Sequence, residues 1–378
     1  MNLKILVTGG SGFIGSKLSN HLITKGHKVR VLDNLSKQIH GETPKSSTLF
    51  LALHHNVEFI RGSVTCRTDL INALNGIDTV VHLAAETGTG QSMYAIQHYS
   101  DVNIGGTALL LDLIANHPFP VRKIIVASSR AVYGEGKYRC DQHGYVFPST
   151  RSVKDMEQGD FSVHCPVCGE SLELVATDEE APVRPSSLYG VTKLTQEQMV
   201  LTVGRSLGIS AIAFRFQNVY GPGQSLSNPY TGILSIFSTR IRNNKSINIF
   251  EDGMESRDFV YIDDAVSILA QAVESDTLMV DTFNVGSGVA TTVLRVAEFL
   301  QVLLGIKVPT TVSGQFRVGD IRHNYAELTK LKSSFSFESA VAIEQGLQGF
   351  VDWVKKEPTQ SDLYEQSLDE LKVKGLFK

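Results

Sequence analysis

Tyr189 and Lys193 stand four residues apart in "SSLYGVTKL", a spacing that puts both on one face of a helix. A tyrosine titrates near about pH 10 and is a poor base at neutrality, but an adjacent ammonium stabilises the phenolate and lowers that value. Such a pair could take the proton of a hydroxyl while hydride leaves the same carbon for an acceptor. Y-x-x-x-K also arises by chance as a surface pair on an amphipathic helix, so alone it is weak. "VASSRAVYG" adds Ser128 and Ser129 at the end of an apolar run, where a hydroxyl could meet a ligand or simply cap a strand.

The acceptor is suggested at the other end of the chain. "TGGSGFIGS" spaces Gly9, Gly12 and Gly15 as G-x-x-G-x-x-G directly after an apolar strand. Glycines let the backbone approach a pyrophosphate, and the helix opening there aims its N–H groups at that charge. A tight strand–helix turn would explain the triplet alone. A second strand, however, ends at Asp33, eighteen residues after Gly15, where a carboxylate can bond both adenosine ribose hydroxyls. The same carboxylate would repel a 2′-phosphate, so the expected cofactor is NAD rather than NADP.

A third constellation carries different chemistry. Cys140-x-x-His143 and Cys165-x-x-Cys168 lie in "KYRCDQHGYVF" and "VHCPVCGESL". Two short pairs joined by about twenty residues match a structural tetrahedral zinc ribbon or knuckle, with Cys140, His143, Cys165 and Cys168 as ligands. Gly169 permits the tight turn after the second pair. A redox pair at Cys165/Cys168 is the rival, although no thioredoxin-like βαβ context surrounds it. If His143 is incidental, His164 is the alternative fourth ligand, or only three ligands are present. A catalytic zinc is not expected, because hydride chemistry needs no Lewis acid.

The elements that must position these groups follow from the apolar pattern. "LKILVTG", "HKVRVLD", "VEFIRG", "DTVVHLAA", "RKIIVASS" and "SAIAFRF" are short continuous runs separated by segments of helical spacing. That alternation predicts an α/β, Rossmann-like, doubly wound parallel sheet with ligand at the carboxyl ends of its strands. The stretch 136–183 breaks the rhythm and reads as a zinc-ribbon-like insertion. The expected organisation is an NAD-binding domain over 1–216, with 258–286 returning to it. A smaller C-terminal substrate lobe would take 217–257 and 287–378. The helical, charged "LYEQSLDELKVKGLFK" should pack on that lobe as a tail, and Cys66 should be a small buried hydrophobe.

Bulk properties exclude several classes. The 378 residues are 42% hydrophobic and 20% charged, with a formal net charge of −4 and no basic block, so neither a nucleic-acid nor an anionic-membrane partner is expected. No apolar run reaches a bilayer-spanning length. Four cysteines, unevenly placed, are too few for a disulfide scaffold. With no signal-peptide pattern at "MNLKILVTGG", a reducing, cytoplasmic location is expected.

Taken together, the glycine loop, Asp33, the strand-end serines and Y-x-x-x-K resemble the extended short-chain dehydrogenase/reductase family, the nucleotide-sugar epimerases and dehydratases. "VVHLAA", "VNIGGT", "RFQNVYGP", "ESRDFVYIDD", "FNVGSG" and "FRVGDIRH" extend the likeness over nearly the whole chain. The resemblance implies Ser129, Tyr189 and Lys193 as the catalytic set. It implies NAD contacts from Gly9, Gly12, Phe13, Ile14, Gly15, Asp33, Asn34, Ser63, Val64, Leu83, Ala84, Ala85 and Asn103, as well as Tyr189 and Lys193. Glu86, Thr87, Ser129, Arg130, Asn218 and Asn228 would meet the sugar nucleotide, and Arg257 and Arg317 would hold its diphosphate, a role suited to a guanidinium fork. Ser63 departs from the pattern, which usually has an adenine-contacting Asp there. Family members commonly form homodimers through helices of the first lobe.

Dehydratases and decarboxylases of this family carry acid/base groups just after the catalytic Ser/Thr; here those positions are Arg130 and Ala131. A reductase would use NADPH, which Asp33 disfavours. Redox-neutral C4 epimerisation is therefore the expected reaction. "AAETGTGQSMY", "YGEGKYRC", "LSNPYTGILSIF" and "FRVGDIRHNYAELTK" resemble the branch acting on dTDP-L-rhamnose, whose product would be dTDP-6-deoxy-L-talose, a building block of surface polysaccharides. Another NDP-hexose 4-epimerase, such as one for UDP-glucose, is the alternative. An NDP-sugar dehydratase or reductase ranks below it, as does a non-catalytic NAD-binding regulator.

Overall fold

Seven short strands build the centre of the molecule, which is seen in a computed structural model describing residues 2–230, 232–337 and 341–378. They are β1 (Lys4–Thr8), β2 (Lys28–Asp33), β3 (Glu58–Arg61), β4 (Thr79–His82), β5 (Lys123–Ser129), β6 (Ser210–Phe216) and β7 (Val280–Val285). All pair in parallel, in the order 3-2-1-4-5-6-7. Within β1, Ile5 and Val7 face one core with Leu18, Leu22 and Leu269, and Leu6 faces another with Leu110, Leu113 and Val200. Burial on both faces is why the strand reads as an unbroken apolar run rather than an alternating one. The order reverses between β1 and β4, which opens a crevice at the carboxyl ends of the strands.

Helices α1 (Phe13–Thr24), α2 (Gly106–Asn116), α3 (Leu188–Leu207) and α4 (Ile262–Glu274) cover this sheet. Ser187 caps α3, its Oγ accepting from the Gly190 amide at 3.2 Å, and Gly208 ends it with φ 66°. Those two stops fix Tyr189 in the first turn of α3, with Lys193 one turn further into the buried face.

The second lobe holds a four-stranded sheet of Asn218–Tyr220, Ser256–Tyr261, Ala290–Thr292 and His323–Asn324. Phe237, Phe259, Leu300 and Phe350 fill its core. The C-terminal helix α5 (Tyr364–Val373) does pack on this lobe, and the chain then pairs Phe377 with Arg317 across an antiparallel bridge.

The aperiodic stretch folds as a three-stranded antiparallel sheet of Tyr138–Cys140, Gly144–Val146 and Glu173–Leu174. Its apolar cluster is small: Tyr138, Cys140, Val146, Val163 and Cys165, with Cys168, Leu172 and Leu174 at its edge. Cys66 differs from expectation. It is half-buried just before the helix Arg67–Leu74, with its Sγ 3.2 Å from the Thr68 hydroxyl. Among the described residues no helix is long and apolar enough to cross a membrane.

Candidate active site

One cavity of about 550 Å³ runs along the carboxyl edge of the sheet and into the second lobe. At its sheet end, β1 turns into α1 through Gly9, Gly12 and Gly15. Gly9 has φ +68°, and a Cβ there would stand 2.8 Å from the Ala84 amide nitrogen; one on Gly15 would stand 2.4 Å from the Gly9 carbonyl. Only glycine allows this packing of loop, helix and β4. No side chain caps the start of α1, so its first N–H groups remain available to an anion. Across the loop, Asp33 accepts from the amides of Ser11 (2.9 Å) and Leu35 (2.8 Å), which fixes its carboxylate at the cavity wall. These features fit a dinucleotide: a backbone cradle for pyrophosphate and a carboxylate for ribose.

The tyrosine, serine and lysine of the sequence motifs sit where β5 and α3 meet. Ser129, Tyr189 and Lys193 all line the cavity. The Ser129 Oγ accepts from the Ala131 amide at 3.2 Å, and Tyr189 is tethered by its own amide to the Ser92 hydroxyl at 3.0 Å. Beneath Ser129, Ser128 donates to Glu197 at 2.6 Å, and Glu197 holds the Arg215 guanidinium in a two-point pair. Lys193 donates to the Ala127 carbonyl (2.8 Å) and to Gln196 (3.0 Å). Burial lowers its ammonium to about 7.

The electrostatics differ from the simple sequence picture. Burial pushes the Tyr189 phenol up, while the hydrogen bond with Ser129 and then the nearby Arg130 charge pull it back. In this geometry the cation acting on the phenol is Arg130, whose Nε also donates to Asn218 at 3.1 Å. Lys193 is turned toward the carbonyl and Gln196. The sequence placed the ammonium on the right helical face, but side-chain direction was not legible.

Toward the second lobe the wall becomes cationic. Arg130, Arg257 and Arg317 all line the cavity. Arg257 is 9% exposed and donates to the carbonyls of Ser256, Ile321 and Arg322. Arg317 forks onto Asp320 at 2.8 and 2.7 Å and lies over the Phe250 ring. Burial, then the like charge of Arg257, pushes Arg130 down, against the pull of Asp320, Tyr189 and Glu135.

The expected cofactor residues Phe13, Ile14, Asn34, Ser63, Val64, Leu83, Ala84 and Ala85 line the same cavity, as do Glu86, Thr87 and Asn218. Two expected residues do not. Asn103 is fully buried, donating to the Glu86 carbonyl and the Thr192 hydroxyl and accepting from the Glu86 amide. It holds the segment carrying Glu86 instead of facing the cavity. Asn228 is also buried, its side chain accepting from the Tyr230 amide at 3.0 Å.

Sequence reading missed several lining residues. Gln224, Asn248 and Glu255 each carry a buried side-chain oxygen without a hydrogen-bond partner among the described residues. Burial raises the Glu255 carboxyl to about 7. Tyr230 reaches the cavity while donating to Glu370 of α5 at 2.7 Å, a carboxylate shared with Tyr94 at 2.8 Å. The only signal for these was polar residues flanking the arginine blocks, which any surface loop would also show.

Outside the cavity, the ligand atoms of Cys140, His143, Cys165 and Cys168 lie within 4.8 Å of one another. Cys140 Sγ is 3.4 Å from His143 Nδ1 and 3.7 Å from Cys168 Sγ, and Cys165 Sγ is 3.6 Å from the same nitrogen. Tetrahedral bonds of about 2.3 Å to sulfur and about 2.0 Å to nitrogen give edges of about 3.5–3.8 Å, which these three separations match, while the whole set is held within 4.8 Å. His164 is engaged elsewhere, paired with Asp160 at 2.8 Å.

Comparison with known proteins agrees with this geometry. The model of the "NAD dependent epimerase/dehydratase family" matches residues 5–152 and 163–286. A dTDP-L-rhamnose 4-epimerase of Burkholderia thailandensis is 37% identical over 358 residues, spanning 94% of this chain and 95% of that enzyme. The crystal structure of a Thermotoga maritima UDP-glucose 4-epimerase with UDP-glucose superposes with a TM-score of 0.74 at 28% identity, covering 94% of this chain and 99% of that one. A Bacillus cereus UDP-glucuronic acid 4-epimerase in complex with UDP-glucuronic acid and NAD gives 0.76 at 26% identity, covering 94% and 99%.

Proposed function

This chain belongs to the NAD dependent epimerase/dehydratase family, and from that premise we propose that it inverts C4 of dTDP-L-rhamnose to give dTDP-6-deoxy-L-talose. The observation that carries the reading is the composition of one cavity. A tyrosine–serine–lysine set stands beside a glycine-loop cradle, with Arg130, Arg257 and Arg317 lining the same cavity and no acid/base side chain at positions 130 and 131.

Gly9, Gly12, Gly15 and Asp33 would hold NAD, with Asn34, Ser63, Val64 and the Leu83–Ala85 run around it. Bound there, NAD supplies a reversible hydride acceptor. Ser129 orients the sugar's 4-hydroxyl, and Tyr189 removes its proton as C4 becomes a ketone. Arg257 and Arg317 hold the diphosphate while the sugar turns over, and Glu86, Thr87, Arg130 and Asn218 bound the space in which it turns. Tyr189 then returns the proton to the oxygen at the inverted centre. Lys193 would hold the nicotinamide ribose. Nothing is consumed, in keeping with Arg130 and Ala131 standing where a dehydratase would carry its extra acid/base groups.

UDP-glucose is the alternative substrate, supported by the likeness to the UDP-glucose-bound epimerase. Specificity constants for both sugar nucleotides test the choice. A higher kcat/KM for dTDP-L-rhamnose is expected, and the reverse order would replace it with UDP-glucose.

The cysteine–histidine set would hold one structural zinc per chain, because so small an apolar cluster needs a staple. Metal analysis of the purified protein, with Cys165→Ser as control, tests this; folded metal-free protein refutes it. A homodimer would use the apolar groove between α2 and α3, lined by Leu111, Ala115, Met199 and Val203. Light scattering distinguishes this from a monomer.

A further inference from the structure

Arg151 lies in the inserted stretch, far in sequence from every cavity residue, yet only 4% of its side chain is exposed. Its guanidinium donates to Glu135 (3.1 Å), to both oxygens of Glu251 (2.9 Å each), and to the carbonyls of Phe161 (3.2 Å) and Asp320 (3.1 Å). Arg322 completes the cluster. It donates to Glu251 at 2.8 Å and to Asp252, and its amide donates to Glu135 at 2.8 Å.

Each partner of Arg151 carries part of the cationic wall. Asp320, whose carbonyl it holds, is the residue onto which Arg317 forks. Glu251 follows Phe250, the ring under Arg317, and has φ 50°, a left-handed conformation that persists in a non-glycine residue only where surroundings impose it. Arg257 hangs from the carbonyls of Ile321 and Arg322, in the segment that Glu135 and Glu251 fix. Met156 and Phe161 of the insertion also pack on Phe316, next to Arg317.

We infer that Arg151 is a positioning residue for the diphosphate-binding wall, so that the insertion sets the affinity for the nucleotide diphosphate. The inference rests on the sugar-nucleotide reading above. A group placed this way acts on binding, which the ground state and the transition state share, and should leave the proton-transfer group untouched. It touches neither substrate nor cofactor.

The test uses full-length holoenzyme and calorimetric titration with dTDP and with UDP, which needs no turnover. In Arg151→Met, the Kd for the tighter nucleotide and the KM of the sugar nucleotide should both rise about 10-fold or more, with kcat within about 3-fold. Bound NAD should be unchanged. Arg151→Lys, which keeps charge and loses the fork, should recover part of the affinity, and it carries the test if Arg151→Met does not fold. A folded variant with wild-type nucleotide affinity overturns the inference, as does one that loses kcat and NAD while nucleotide affinity is unchanged. Wild-type protein that binds neither nucleotide overturns the sugar-nucleotide reading itself.

Discussion

At Tyr189 burial and charge oppose one another, and the outcome depends on a residue whose importance was not visible in the motif. Arg130 pulls the phenol down against the desolvation that pushes it up. Replacing it by methionine should move the alkaline-rising limb of kcat to higher pH and reduce turnover at pH 7 about 10-fold or more, read from a pH–rate profile. Glu255 gives a prediction of opposite sense. Its folded-state carboxyl titrates at about 7, above the about 4.3 of an unfolded glutamate, so the folded protein keeps that proton longer. Stability from this group is full below about pH 4, falls as pH rises, and is lost above about 7. Glu255→Gln should therefore gain roughly 2–3 kcal/mol over the parent at pH 8 and nothing at pH 4, measured by urea unfolding. Residue types at the site were legible because tyrosine, lysine, glycine and aspartate are bound by spacing to a helix, a turn and a strand end. The direction of Lys193 and the orphaned oxygens of Gln224, Asn248 and Glu255 depend on tertiary packing, which has no local sequence period.

Among the elements, the β1–α1 turn was the most legible, since a cradle that admits no Cβ must be written in glycine. Gly15→Ala would place a methyl 2.4 Å from the Gly9 carbonyl and 2.6 Å from the Gly10 Cα, contacts that only backbone movement can relieve. The expected result is loss of about 10-fold or more in NAD affinity, checked by cofactor content and NAD titration. The sheet strands were legible as continuous apolar runs because both faces are covered. Short strands of the second lobe, such as Asn218–Tyr220 and Ala290–Thr292, were not, because three residues are too few to show a period. The cysteine spacing announced the insertion, yet its strongest tie to the rest of the molecule, Arg151, carries no motif. An arginine in an irregular stretch reads as solvated until its partners are seen.

On the scale of the whole molecule, the glycine-loop sheet edge and the C-terminal strap, through Tyr364, both line one cavity, and the inserted module braces its arginine wall from outside through Arg151. The strap joins through Glu370, which receives hydrogen bonds from Tyr94 and Tyr230, and through the backbone pairing of Phe316 with Lys378. Removing residues 362–378 should raise the KM for the sugar nucleotide about 10-fold while sparing bound NAD, since the strap meets the second lobe and not the glycine loop. In the proposed epimerisation the hydrogen removed from C4 returns to C4 within the same active site. A sugar nucleotide deuterated at C4 tests it most directly, followed by mass and NMR analysis of the product formed without added cofactor. The expected product carries an inverted C4 that retains its deuterium, with no NADH accumulating. Deuterium lost to solvent, water eliminated from the sugar, or one NADH released per turnover would contradict it.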